Sequence, residues 1–363
     1  MPSGVFIANQ ENLPNGPIKY PPSPFFIHTV HMITHMHLQN FKAWRDSGEL
    51  ALAPLTLLLG TNAGGKSSFI QSLLLLKQTL AATGNYRQLQ TEGPLFNAGT
   101  LQDLLHVAAD GTLAPCLSID IRLDQAPAFH GEYSAEYNAE YNADGSTRTT
   151  TSPAFDTWLQ QLTHLPALRQ LQADDLAELT RDAALRETVS LWLNRMGIAD
   201  ELTIKPEEPD QLYVCRLGRL NKMHHTGTGL SMALPVLITA CRAQPESTVL
   251  IEEPEAHLHP LAQSTLAELF ASISRTHQVQ FMIETHSEHL FRRMQTLVAR
   301  TTLNKNDAAL FFVEQTNTDS PSARRLTLDD VGRVQNWPSG FFGDALAETR
   351  EQARLMLTRS REL

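Results

Sequence analysis

A chain of 363 residues with a formal net charge of −10 is long enough to bury a large core, as about two domains or one domain with insertions. The acidity argues against a broadly basic surface that would hold nucleic acid by counterion release, so any such contact has to be local. The 3 cysteines, Cys116, Cys215 and Cys241, form no CxxC pair, which leaves reduced thiols in a cytoplasmic setting and gives no basis for zinc, and no run of about 18 apolar residues is long enough to span a membrane.

Residues 1–31 hold six prolines and few periodic apolar positions. They read as a flexible leader without the pattern of a secretory signal, and Met32 or Met36 offers a later start. Ile33 to Phe41 alternates apolar and polar residues as a half-buried strand does, whereas Leu55 to Leu59 is apolar throughout, as a strand buried on both faces is. After a glycine-rich turn, Ser67 to Leu80 carries Ile70, Leu73, Leu74 and Leu80 at helical spacing, and Gly84 offers the stop.

The next segment changes character. Glu132 to Ala143 repeats a short Glu-Tyr-Ser/Asn-Ala unit whose Tyr133, Tyr137 and Tyr141 would form a helical stripe or part of a polar hairpin, and Phe155 to Met196 is mostly helical in pattern. This suggests a helical insertion or lid. The basic residues Arg216, Arg219, Lys222, His224 and His225 that follow read as a solvated face, as do Arg292/Arg293 and Arg324/Arg325. Gly227-Thr-Gly-Leu-Ser231 leads into an apolar helix, with Ser231 expected as its N-cap and Pro235 in its first turn; spacing alone makes this an ordinary capped helix. Val249 to Glu253 and Val279 to Thr285 are short apolar runs joined by a helix around Leu261 to Ser272, a βαβ unit that implies a parallel sheet and an α/β class. A short charged helix from Asp344 to about Arg359 closes the chain.

Four motifs carry chemistry. Gly60-Thr61-Asn62-Ala63-Gly64-Gly65-Lys66-Ser67-Ser68 fits G-x-x-x-x-G-K-[ST], in which glycines let main-chain amides curl around phosphate oxygens. Lys66 would reach the β- and γ-phosphates and the Ser67 hydroxyl would bind Mg²⁺, aided by the helix N-terminus. Val-Leu-Ile-Glu252-Glu253-Pro-Glu255 is an apolar strand bringing acids to its carboxyl end, where open parallel sheets bind ligands. One acid would hold Mg²⁺ and the next would polarise a water attacking the γ-phosphate. His286 ends the following strand and would emerge beside Glu253, within reach of that phosphate or water. His257 and His259, with His286 and His289, lack a helical HExxH pattern, which favours packing or loop geometry over a metal site.

Taken with Asn40-Phe-Lys, Gly-Leu-Ser231, Glu-Glu-Pro-Glu-Ala-His-Leu-His-Pro260, Glu-Thr-His-Ser287 and Asn336-Trp-Pro-Ser-Gly-Phe-Phe342, the sequence resembles the ABC-type ATPase heads of the SMC, RecF and OLD-nuclease kind. It resembles more closely the bacterial AAA-family ATPases that carry a C-terminal domain of unknown function. The resemblance covers roughly residues 33–115 and 210–345. It implies a P-loop NTPase with a mixed or parallel sheet, ATP and Mg²⁺ as ligands, Glu252 at the Mg²⁺ position, Glu253 as catalytic base and His286 as switch histidine. Gly229 and Ser231 would form a signature loop reaching a second protomer's ATP, Glu255 to His259 would link the two sites, and Gln102 would stand at the glutamine loop beside the metal. Glu252 replaces the commoner aspartate and so reaches one methylene further.

The corresponding organisation is a leader over 1–31, the first part of the head over 32–124, a helical or lid insertion over 125–205, the second part of the head over 206–320 and a family-specific cap over 321–363. No long heptad arm interrupts the head, unlike a true SMC protein, and no acidic C-terminal module of the OLD-nuclease kind follows it. The expected function is a cytoplasmic ATPase switch that forms a homodimer or higher oligomer around ATP and drives a separate effector, in DNA maintenance or phage defence. The alternatives are an ATP-dependent assembly scaffold with little hydrolysis and the ATPase subunit of a transporter.

Overall fold

The structure is a computed structural model that describes residues 31–62, 64–124, 126–134, 149–223, 227–315, 320–337 and 354. In chain order the first half contains β1 (Ile33–Phe41), β2 (Trp44–Asp46), β3 (Leu50–Ala51), β4 (Leu55–Gly60), α1 (Ser67–Thr83), β5 (Cys116–Leu123), β6 (Ala126–Ser134), β7 (Thr149–Thr151), α2 (Pro153–Gln161), β8 (Thr163–Leu165), α3 (Ala173–Arg181) and α4 (Ala183–Arg195). The second half adds β9 (Glu201–Lys205), β10 (Glu208–Arg216), β11 (Arg219–Lys222), α5 (Thr228–Arg242), β12 (Thr248–Glu252), α6 (Pro260–His277), β13 (Gln280–Thr285), α7 (Glu288–Ala299), β14 (Ala308–Glu314) and β15 (Ser322–Leu326).

The central sheet has the order β15-β14-β4-β13-β12-β8. All its neighbours pair in parallel except the edge strand β15, which is antiparallel to β14. Every residue of β13 is buried, as are all but the last of β4, β12 and β14; this burial on both faces explains why these strands read as continuous apolar runs. An antiparallel sheet, β2-β1-β5-β6-β7 with β3 also on β1, covers α1. Its core joins Phe41, Trp44, Phe69 and Leu73 to an aromatic row in which Tyr86 meets Phe129 at 4.9 Å, Phe129 meets Phe155 at 5.1 Å and Phe155 meets Trp158 at 5.6 Å between ring centroids. A third sheet, β11-β10-β9, packs against α3 and α4.

The strand expected from Leu55, the helix from Ser67 and the βαβ unit built on β12, α6 and β13 are all present, and Gly84 takes the left-handed C-cap of α1 at φ 69°. Several expectations are corrected. The N-cap of α5 is Gly227 rather than Ser231, so Ser231 lies within the first turn, and Pro235 sits a turn further in, inside the helix. The paired acids, expected on a strand adjacent to that of the glycine loop, lie at the end of β12, which β13 separates from β4. The stretch read as an insertion holds the expected helices but also pairs with both larger sheets: β6 with β5, and β8 with β12. Tyr133 lies on β6, buried at 3% exposure. Tyr137, Tyr141, the leader and, apart from Arg354, the charged C-terminal segment lie outside the described residues.

Candidate nucleotide site

The glycine loop is shaped by close approaches that only glycine permits. Gly60 has φ 143°, and a Cβ there would lie 1.9 Å from the Val313 carbonyl oxygen of neighbouring β14; at Gly65, φ 91°, it would lie 2.9 Å from Trp44 Nε1. That indole nitrogen instead donates to the Gly65 carbonyl at 2.8 Å. The helix α1 starts immediately afterwards with no side-chain cap and no acidic residue in its first turn, so its leading amides and positive dipole end are available to an anion. Thr61 and Asn62 are exposed on the turn, Ser68 is buried beneath it, and Ala63 lies outside the described residues.

Lys66 is 2% exposed and its ammonium donates to the carbonyls of Gly60 at 3.2 Å and Thr61 at 2.7 Å. Burial lowers its pKa, opposed by the charges of Glu284, Glu253 and Glu255. Those acids arrive because β4, β13 and β12 run parallel and end on one edge: the register sets Glu284 opposite Leu58 on one side and Glu252 on the other. Glu253, just past β12, holds a left-handed φ of 43°, uncommon for a residue with a Cβ, and its N–H donates to the Glu284 carbonyl at 2.8 Å. His286, just past β13, brings Nε2 to 3.8 Å from the Glu253 carboxylate. Its pKa is lowered by burial and then by Lys66, which favours the neutral imidazole at pH 7. The four expected polar residues Lys66, Ser67, Glu253 and His286 therefore surround one loop.

Three further side chains complete the site, and the motif-based expectation assigned none of them a role. Glu284, 6% exposed, accepts from the Ser67 hydroxyl at 2.9 Å and stands 3.9 Å from the Lys66 ammonium. His164 on β8 meets Glu252 at 3.0 Å. Arg169, 7% exposed, donates to the carbonyls of Glu252, Glu253 and Pro254 at 3.1–3.2 Å and to that of Met232 in α5 at 3.3 Å, pinning the turn after β12 to the helix behind Gly229. A glutamate directly after the apolar run Phe281-Met282-Ile283 of a buried strand is the one signal that could have flagged Glu284, because an ionised carboxylate is costly to bury. Arg169 gave none, since its partners are carbonyls distant in the chain.

Glu255, 8% exposed, accepts from the His286 N–H at 2.6 Å. Burial raises the pKa of both Glu255 and Glu284, and one oxygen of each, Oε2, is buried without a hydrogen-bond partner. His259 caps α6 through Nδ1, and His257 occupies a left-handed turn at φ 61°, which is the loop geometry expected of them. Gln102 opens an exposed 3₁₀ turn, and among the described residues no hydrogen bond ties its side chain to Ser67. Gly229 and Ser231 sit on the first turn of α5. Among the described residues no group of three or more His, Cys, Asp or Glu side chains is arranged to hold a metal. Mg²⁺ needs no such cage, because it is commonly held by one or two carboxylates, water and phosphate oxygens. The glycine cradle fits a triphosphate, and the all-oxygen donors Ser67, Glu252 and Glu284, with an orphaned buried carboxylate oxygen, fit that hard cation.

A mainly parallel sheet that ends in a glycine loop, with acids and a histidine on the same edge, is the arrangement of a P-loop NTPase fold. Comparisons with known proteins agree: residues 203–291 match the AAA ATPase domain family and residues 303–352 match a family described as a protein of unknown function, DUF3696. The SMC head domain from Thermotoga maritima is similar over 81% of this chain and 98% of its own, at 12% identity and a TM-score of 0.52. An SMC head bound to the C-winged helix domain of ScpA is similar over 82% and 98%, at 14% identity and 0.53. An SMC head with an extended coiled coil bound to the C-terminal domain of ScpA, from Pyrococcus furiosus, is similar over 82% and 97%, at 12% identity and 0.51. At these identities the likeness is one of fold. No curated protein matches the sequence, and no helix among the described residues is long and apolar enough to cross a membrane.

Proposed function

We propose that this protein is a Mg²⁺-dependent ATP hydrolase that closes as a dimer around ATP and uses the closing and opening to drive a separate effector. The observation that carries the reading is the gathering of Lys66, Ser67, Glu253 and His286 around the Gly60 loop at one sheet edge. The amides of Gly64 to Ser68 would hold the β- and γ-phosphates, and the Lys66 ammonium would turn from the Gly60 and Thr61 carbonyls to phosphate oxygens. Ser67, with Gln102 by resemblance and one of the two neighbouring carboxylates Glu252 and Glu284, would hold Mg²⁺, which when bound neutralises phosphate charge. Glu253 would accept a proton from the attacking water. A neutral His286 would hold that water or the γ-phosphate oxygen by a hydrogen bond.

Dimer closure is supported by the glycines of the signature segment. A Cβ at Gly227 or Gly229 would meet no described atom within 4 Å, and neither has a positive φ. Nothing within the described chain demands glycine at either place, whereas close approach by a second copy's phosphates would. That two similar SMC heads are bound to ScpA domains makes a protein effector the preferred partner, and DNA maintenance or phage defence a setting in which it would work. A second reading, ATP as a dimer clamp with slow turnover, is favoured by one contact: Glu252 is engaged by His164 at 3.0 Å.

The test is ATP turnover and mass by light scattering, with and without Mg²⁺ and ATP. The first reading expects turnover and nucleotide-dependent dimers, both lost in Lys66→Ala. Dimers with little turnover favour the clamp, and turnover that survives Lys66→Ala refutes both.

A further inference from the structure

Glu284 is the least expected ionisable group in the sheet. It is one residue short of the end of β13, in a strand whose every residue is buried. Leu58 of β4 and Glu252 of β12 are its register partners, so two carboxylates stand abreast on neighbouring strands. Four acids are thereby grouped: Glu284, Glu253 and Glu255 act on the charge of Lys66, and Glu252 stands beside Glu284. Such a grouping is held at neutral pH by protons or by an added cation.

The second, independent observation is the fate of the Glu284 oxygens. One accepts from the Ser67 hydroxyl at 2.9 Å and lies 3.9 Å from the Lys66 ammonium. The other is buried with no partner, on a side chain only 8% exposed. A buried carboxylate oxygen left without a donor costs on the order of 1–3 kcal/mol, so its retention calls for a ligand that repays it. Glu252, the acid assigned to the cation by resemblance, is instead engaged by His164 at 3.0 Å.

We propose that Glu284 is a direct carboxylate ligand of the divalent cation that accompanies the nucleotide, sharing it with the Ser67 hydroxyl, while Glu252 is held off by His164. The assignment rests on the ATPase reading above and deepens it. Ser67 and Glu284 already touch, as two ligands of one small cation do, and both present the hard oxygen donors Mg²⁺ prefers. Without the cation, Glu284 puts a buried negative charge beside the triphosphate and opposes nucleotide binding. With it, the same charge is neutralised. The binding of nucleotide and that of metal are therefore coupled through this side chain.

The experiment measures the affinity of the full chain for a fluorescent ATP analogue in excess EDTA and in Mg²⁺, and the affinity for Mn²⁺ in the nucleotide complex by electron paramagnetic resonance. In Glu284→Gln, whose amide oxygen still accepts from Ser67, the analogue should bind in EDTA at least as tightly as to wild type. The tightening by Mg²⁺ should shrink, and Mn²⁺ affinity should fall, each by about tenfold or more. In Glu252→Gln the Mg²⁺ tightening should change by less than about threefold. If Glu284→Gln does not fold, Glu284→Asp reads the same quantities and should weaken Mn²⁺ severalfold. Wild-type Mg²⁺ and Mn²⁺ dependence in the Glu284 variants, or its loss in Glu252→Gln alone, overturns the assignment. Absence of nucleotide binding to wild type in either condition refutes the ATPase reading itself.

Discussion

Trp44 and Gly65 are joined by a 2.8 Å hydrogen bond from the indole Nε1 to the loop carbonyl, and the same ring lies 5.3 Å from that of Phe69 in α1. The antiparallel sheet thus fixes the loop that the parallel sheet presents. Trp44→Phe keeps an aromatic body but removes the donor, and a bond of this kind is worth about 1 kcal/mol. ATP affinity should fall about fivefold with little change in Tm, as read by fluorescence titration and thermal unfolding. Unchanged affinity would mean that the tryptophan only packs.

Gly60 and Gly229 predict opposite outcomes for the same substitution. At Gly60 a methyl group would lie 1.9 Å from the Val313 oxygen on a backbone at φ 143°, so Gly60→Ala should destabilise the fold by more than about 4 kcal/mol. At Gly229 the space is open, so Gly229→Ala should leave Tm within about 2 °C, a helical alanine being no worse than glycine. On the dimer reading it should nevertheless lower ATP turnover at least tenfold, whereas unchanged turnover would remove Gly229 from the site.

Arg169 ties the turn after β12 to α5 through five donated bonds to the carbonyls of Glu252, Glu253, Pro254 and Met232. Lysine keeps the charge but not the planar fork. Arg169→Lys should therefore cost about 2 kcal/mol in chemical denaturation and lower kcat about tenfold while ATP affinity stays within about twofold. A parallel loss of affinity would show that Arg169 supports the loop rather than the acids.

Burial holds the Glu255 carboxyl above its ordinary 4.5, so the folded chain binds that proton more tightly than the unfolded chain does. The stability this gives is present below about pH 4.5 and is lost as pH rises through the raised value. Glu255→Gln, which keeps an acceptor for the His286 N–H, should raise Tm at pH 7 by about 2–4 °C in EDTA, and the gain should vanish toward pH 4. A pH-independent difference would contradict this.

The loop and its flanking elements were legible because glycines at strained or crowded positions, a wholly apolar strand and a helical period each leave a local mark. The strand order was not: that β13 lies between β4 and β12 is decided by pairing between segments more than 200 residues apart. Ser231 misled because a hydroxyl before an apolar stretch imitates an N-cap, whereas here extended Gly227 takes that place. β8 is three residues long and carries no period. Glu284 was passed over because it stood inside a run read for its apolar residues, and His164 and Arg169 because contacts with distant groups have no local signature.

The central claim is that Glu253 activates water at a loop-bound triphosphate. Single-turnover hydrolysis of radiolabelled ATP by wild type and Glu253→Gln, with ATP affinity measured in parallel, tests it most directly. The account predicts unchanged affinity within about threefold and a rate lowered by about 10²–10⁴; hydrolysis at the wild-type rate in Glu253→Gln would contradict it.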